Sequence, residues 1–172
     1  MVCAVIGSGR MECAMKSLLW TIIVILSAAV IFLYRSMKYY RDRTDEEIDK
    51  VQKGLEFYDI LVRWLGLRQA QRTLAEYFAE NGYQAVAIYG MKEIGRLLLN
   101  ELRLEGIDVR YAIDRDADEI SGDISVIKPS CNLPEADVIV VTASHYFDSI
   151  YLELREFTEA EIVPIEDVLW SI

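Results

Sequence analysis

Ala85-Val86-Ala87-Ile88-Tyr89-Gly90-Met91-Lys92-Glu93-Ile94-Gly95 decides the fold of this chain. Five apolar residues form a short strand, a glycine breaks it, and a helical pattern starts within three residues. That pattern, Glu93 to Glu105, turns Ile94, Leu97, Leu98 and Leu102 to one side, and Gly106 stops it. Downstream the alternation repeats. Val109 to Ile113 reads as a second strand, Ile124 to Ile127 as a short third, Val138 to Thr142 as a fully buried fourth and Ile162 to Pro164 as a short last one. Helices are expected over Tyr146 to Phe157 and Glu166 to Trp170. Strands alternating with crossover helices make an α/β domain built on a doubly wound parallel sheet of about five strands.

Upstream of that unit, apolar residues recur at Ile48, Val51, Leu55, Tyr58, Val62 and Leu65, the three-four spacing of one helix face. Phe57, Ile60, Leu61 and Trp64 widen it. A second helical pattern follows at Leu67, Ala70, Leu74 and Tyr77, with Asn81-Gly82 as its stop. These two amphipathic helices are expected to dock on the domain or on a second copy of the chain.

Further upstream, Ser17 to Tyr34 carries no charge, and at roughly 1.5 Å per residue it spans about 27 Å, close to a bilayer core. Lys16 bounds it on one side; Arg35, Lys38, Arg41 and Arg43 bound it on the other. The positive-inside rule then puts the C-terminal bulk in the cytoplasm, as a single-pass membrane protein. A cleaved signal peptide fits less well, because the apolar run exceeds a usual h-region and no small-x-small site follows. Met15 is an alternative start that leaves this reading unchanged. The expected organisation is a short N-terminal segment (1–16), a transmembrane helix (17–34), a charged linker with amphipathic helices (35–81) and the α/β domain (82–172). Val5-Ile6-Gly7-Ser8-Gly9 imitates a nucleotide-binding turn, but it lacks a third glycine and a full preceding strand.

The 172 residues carry a net charge of -10, and residues 82–172 hold 18 Asp or Glu against 7 Lys or Arg. Such a domain repels a phosphate backbone, which argues against nucleic acid as a partner. Cys3, Cys13 and Cys131 are odd in number and lack metal or redox spacing, so neither a disulfide framework nor a metal site is expected. Cys131 with His145 makes at most a nominal thiol-imidazole pair, with no third group to orient it.

The chemistry concentrates around the opening stretch. Gly90 and Gly95 stand where a dinucleotide-binding turn needs a tight bend and close helix packing, and Asp114 ends the second strand 24 residues after Gly90, where an acid meets a ribose hydroxyl. Lys92 occupies the middle position, which a glycine ordinarily keeps open for a pyrophosphate. Its ammonium can instead meet a phosphate itself. Asp114 favours an unphosphorylated ribose, and Arg115 beside it keeps a 2′-phosphate in play. The ordinary alternative is that both glycines serve only turn and packing, and that Asp114 opens a solvated acidic loop with Asp116, Asp118 and Glu119. Thr142, Ser144 and His145 follow the fourth strand, beside the switch point where open α/β sheets bind ligands. Histidine is the residue type suited to proton transfer at neutral pH, yet a lone one next to two aromatics is more often a surface residue at a helix start than a catalyst.

Ala87-Ile88-Tyr89-Gly90, Glu93-Ile94-Gly95, Ile113-Asp114, Leu133-Pro134, Asp137 to Thr142 and Ile165 to Leu169, with Trp64-Leu65, Tyr77-Phe78 and Gly82-Tyr83, resemble a Rossmann-like domain of bacterial surface-polysaccharide biosynthesis proteins. Similar domains form the amino-terminal part of nucleotide-sugar acyltransferases and polysaccharide dehydratases. The resemblance implies a nucleotide or nucleotide-sugar pocket lined by Gly90, Gly95 and Asp114, with NAD(P) or a nucleotide-sugar as ligand. Acyl transfer is not expected, because the hexapeptide repeat of those enzymes is missing here.

Three functions are therefore expected in order. The first is a membrane-anchored, non-catalytic nucleotide- or nucleotide-sugar-binding module accessory to polysaccharide biosynthesis, held through Gly90, Lys92, Gly95, Asp114, Thr142 and Ser144. The second is a small NAD(P)-dependent oxidoreductase or sugar-nucleotide-modifying enzyme using His145. The third is a scaffold that recruits a glycosyltransferase, another polysaccharide-biosynthesis enzyme or a second copy as a homodimer.

Overall fold

The computed structural model describes residues 5–130 and 132–172, with side chains from residue 15 onward. The chain divides into two compact units, Met1–Gln52 and Lys53–Ile172.

The first described element is a helix, α1 (Val5–Gln69), so the Gly7–Gly9 stretch is helical backbone and no nucleotide-binding turn. Over Met15–Gln69 this helix is long and apolar enough to cross a membrane, and its most apolar window is wholly exposed. The amphipathic region expected as a separate helix from Ile48 is part of α1. The helix expected from Leu67 is a correction: Leu67 still belongs to α1, and α2 (Ala75–Asn81) starts eight residues later. The break is a left-handed C-cap without glycine. Gln71 takes φ 59°, its amide reaches the carbonyl of Arg68, and the amide of Arg72 reaches that of Leu67. These are the two bonds that satisfy the last carbonyls of a helix in a Schellman cap.

The second unit carries a five-stranded, all-parallel sheet in the order β3-β2-β1-β4-β5, with β1 (Ala85–Tyr89), β2 (Asp108–Ile113), β3 (Val126–Ile127), β4 (Val138–Val141) and β5 (Glu161–Pro164). The helix α3 (Glu93–Leu104) joins β1 to β2, α4 (Phe147–Arg155) joins β4 to β5 and α5 (Ile165–Trp170) follows β5, whereas β2 is followed by a short 3-10 turn (Ala117–Glu119) and no α-helix stands between β2 and β4 among the described residues. All of β1 and β4 is buried, because both faces of a parallel sheet are covered.

Two cores result. One face packs Val86, Ile88, Val138 and Val140 against Ile60, Trp64 and Leu67 of α1 and against buried residues of α2, α3 and α5. The other packs Ala87, Tyr89, Ile139 and Val141 against Ile150 and Leu154 of α4. Strand β2 slips in register between its pairings Val86↔Val109 and Ala87↔Tyr111, leaving Arg110 as the extra residue of a bulge. Val109 and Tyr111, two apart, consequently pack against opposite cores.

The chain leaves β1 for β2 on one side of the sheet and later returns to β4 on the other. The connections that follow β1 and β4 therefore diverge, α3 to one face and α4 to the other, and an open parallel sheet has its natural crevice there.

Candidate functional site

A cavity of about 460 Å3 opens at that divergence. Gly90 turns the chain out of β1 with φ 93°, and its amide donates to the carbonyl of Ile113 (2.8 Å). A side chain there would both strain the backbone and meet Thr142 Oγ1 at 2.7 Å. Gly95, in the first turn of α3, packs so closely that a Cβ would stand 1.9 Å from the carbonyl oxygen of Gly90. The two glycines thus press the start of α3 onto the end of β1, which is the packing half of what the sequence motif implies.

Lys92 is the N-cap of α3 in an extended conformation; it has no acceptor to offer, and no side chain caps the helix. The positive end of a three-turn helix and a lysine ammonium consequently share one rim of the cavity. Glu93, in the first turn, sits on the same rim and is the acid best placed to compete with a bound anion.

The polar groups expected to face a ligand are mostly occupied in shaping the floor. Asp114 is buried, 7% exposed. Its Oδ2 accepts from the amide of Met91 (2.7 Å) and its Oδ1 from the amide of Asp116 (2.9 Å), so it clamps the glycine turn to the loop after β2. The Thr142 hydroxyl lies 2.8 Å from the carbonyl of Gly90 and 3.0 Å from that of Tyr89, tying β4 to β1. Ser144 donates to Glu166 at the start of α5 (2.6 Å). A carboxylate oxygen has a second lone pair and a hydroxyl can also accept, so these groups retain capacity for one more partner each.

The structure brings Gly90, Lys92, Asp114, Thr142, Ser144 and His145 together around this one cavity, while Gly95 stays behind the turn as packing. Cys131 lies outside the described residues. Four lining residues that sequence reasoning did not find come from α1: Lys53, Glu56, Phe57 and Ile60. Glu56 stands 3.3 Å from His145 Nδ1, and Lys53 Nζ is 2.5 Å from the hydroxyl of Tyr146. Lys53 is also 4.7 Å from the centre of that ring, but the short contact to the oxygen puts the ammonium toward the ring edge, so a hydrogen bond describes the pair better than a cation-π contact. No local motif signals these pairings, which close across some ninety residues of sequence.

Tyr89 and Arg115 complete the wall. Burial pushes the Tyr89 phenol above its ordinary value, against the opposing pull of the nearby Arg115 guanidinium, so it stays a neutral hydroxyl. Its oxygen is buried and, among the described residues, makes no hydrogen bond of good geometry, with Arg115 the nearby charged group. Arg115 itself is paired to Glu153 at 2.6 Å. Beyond the glycine turn, a second cavity of about 480 Å3 is bordered by Met91, Arg96, Glu119 and Ile120 and shares Lys92, Glu93, Asp114 and Asp116 with the first. Lys92 therefore stands between two adjoining pockets. Among the described residues no group of three or more His, Cys, Asp or Glu is gathered to hold a metal ion. No protein-family model matches the chain, and neither a curated protein nor a solved structure matches it.

Proposed function

We propose that this chain is a membrane-anchored binding module for a nucleotide-type ligand, NAD(P) or a nucleotide-sugar, held by a Rossmann-like domain in the cytoplasm and accessory to bacterial surface-polysaccharide biosynthesis. One observation carries the reading: two adjoining cavities flank the glycine turn, with Lys92 and the N-terminus of α3 between them. A diphosphate with a group on either side has that outline, and the helix end and ammonium supply the positive field it needs. The polysaccharide setting rests on the sequence resemblance, and the orientation on the cationic flank of the apolar run.

The test is calorimetric titration of the full chain in detergent with NAD, NADP and UDP-sugars. Saturable binding by one of them, weakened roughly tenfold by Lys92→Ala for loss of one charged contact, is expected. Silence toward all of them sinks the binding claim.

A second reading has its own observation. His145 has the carboxylate of Glu56 beside it on the cavity wall, the arrangement that orients an imidazole for proton transfer. On this reading the protein is a small NAD(P)-dependent oxidoreductase or a sugar-nucleotide-modifying enzyme. Loss of a measured turnover in His145→Ala with ligand affinity intact favours it over the first.

A further inference from the structure

Leu55, Tyr58, Val62 and Leu65 follow one another along α1 at steps of three, four and three, and each is 50–62% exposed. Ile60, Trp64 and Leu67 of the same helix are buried against the sheet. At about 100° per residue the two sets lie roughly half a turn apart, so α1 has a second apolar face directed away from its own domain. The sequence continues the same step at Val51 and Ile48. A strict alternation of three and four is the repeat with which one helix meets another over several turns, and a helix that merely covers its own domain has no need of it on the outer side.

The flanks of the stripe point to the occupant. Gly54 and Gly66 border it on either side, and a Cβ at either would meet nothing within 4 Å. Glycine weakens a helix interior relative to alanine, and nothing around α1 in its own domain requires one at these places. Close approach of a second helix does. In a parallel, in-register pair the flanking positions set Gly54 against Asp59 and Leu61 against Gly66 of the other copy, so no like charges face each other. Four side chains at roughly 100 Å2 each present on the order of 400 Å2 per copy, and the continued step at Val51 and Ile48 lengthens the seam toward the area at which stable interfaces begin. A lipid surface fits less well, because Asp59 beside the stripe is repelled by an anionic leaflet.

We propose that α1 pairs with α1 of a second copy as a parallel two-stranded coiled coil through Leu55, Tyr58, Val62 and Leu65. The parallel sense rests on the membrane-anchored reading: chains inserted in one direction present their helices in one direction. Because Lys53, Glu56, Phe57 and Ile60 of the same helix line the cavity, the pairing joins two ligand sites through their shared wall.

The test uses the full chain with Cys3, Cys13 and Cys131 replaced by Ser. In native membranes, Leu65→Cys is expected to form a disulfide dimer about tenfold or more faster than Leu104→Cys, an exposed control on α3, because pairing raises the local thiol concentration. In detergent, sedimentation should give a dimer, and the double variant L55D/V62D a monomer whose domain melts as the parent does. A monomeric parent chain at micromolar concentration overturns the proposal. So does a dimer in which Leu65→Cys links no faster than Leu104→Cys, since the parallel register is then wrong. Protection of Leu65→Cys by lipid in a monomeric chain also overturns it and assigns the stripe to the bilayer. Retention after alkaline extraction is scored separately, so that loss of the anchor is distinguished from loss of the seam.

Discussion

Gly95 is the residue on which the geometry of the turn depends most directly. A methyl group there would stand 1.9 Å from a backbone oxygen that belongs to another tight turn, so neither partner can give way cheaply. Gly95→Ala is therefore expected to destabilise the domain by roughly 1–3 kcal/mol, as overpacking does, read as a lower thermal midpoint by tryptophan fluorescence. Lys92 is exposed at the same turn, and Lys92→Ala should leave that midpoint unchanged while weakening the ligand. A similar separation holds at Asp137, where the amides of Ala85 and Gln84, each 2.7 Å from one carboxylate oxygen, hold the carboxyl below its ordinary value of 3.8. A folded value below the unfolded one adds stability that is complete above the ordinary aspartate range and disappears as pH falls through the folded value. Thermal midpoints followed into acid should drop in that window. Asp137→Asn, which can still accept both bonds but cannot titrate, should flatten the drop.

At the scale of elements, α1 carries two duties, and its inner face can be tested apart from its outer one. Trp64 is 7% exposed and lies with Ile60 and Leu67 in the core beside α2 and α5. Trp64→Ala should cost about 3–5 kcal/mol, the usual range for emptying a large aromatic site, measured by chemical denaturation. Wild-type stability in that variant would mean that α1 is not part of the folded domain. The order of strands and helices was legible in the sequence because each change of element coincides with a change of hydrophobic period or with a glycine, as at Gly82 and Gly106. The end of α1 was not legible, because Gln71 takes the left-handed position that glycine usually announces. Nor was the bulge at Arg110, which depends on cross-strand register rather than on local composition. The candidate site divides the same way. Gly90, Lys92, Asp114, Thr142 and Ser144 sit at strand ends, where topology alone brings them together. Lys53 and Glu56 enter only through tertiary packing, and that Asp114 and Thr142 hold backbone groups became visible only with their partners in place.

For the molecule as a whole, charge separates the parts as sharply as hydropathy does. The acidic residues concentrate after residue 82, while the apolar run is followed at once by Arg35, Lys38, Arg41 and Arg43. Lysine and arginine close to a span fix its direction far more than acids in a distant domain do, so the cationic cluster, and not the net charge of -10, should govern insertion. With the cluster intact, protease added to sealed inside-out vesicles should digest residues 82–172, and protease added to right-side-out cells should spare them. Replacing the four cations by Gln leaves Arg10 and Lys16 as the stronger cationic flank. A substantial fraction of chains should then insert with the domain outside, as protease from the outer face would report. Were the domain to stay cytoplasmic in that variant, the direction of insertion would have to come from folding of the α/β unit before translocation. Exposure of the domain on the outer face of the unmodified chain would remove cytoplasmic nucleotide-sugars and NAD(P) from the ligands it can meet, and the proposed function with them.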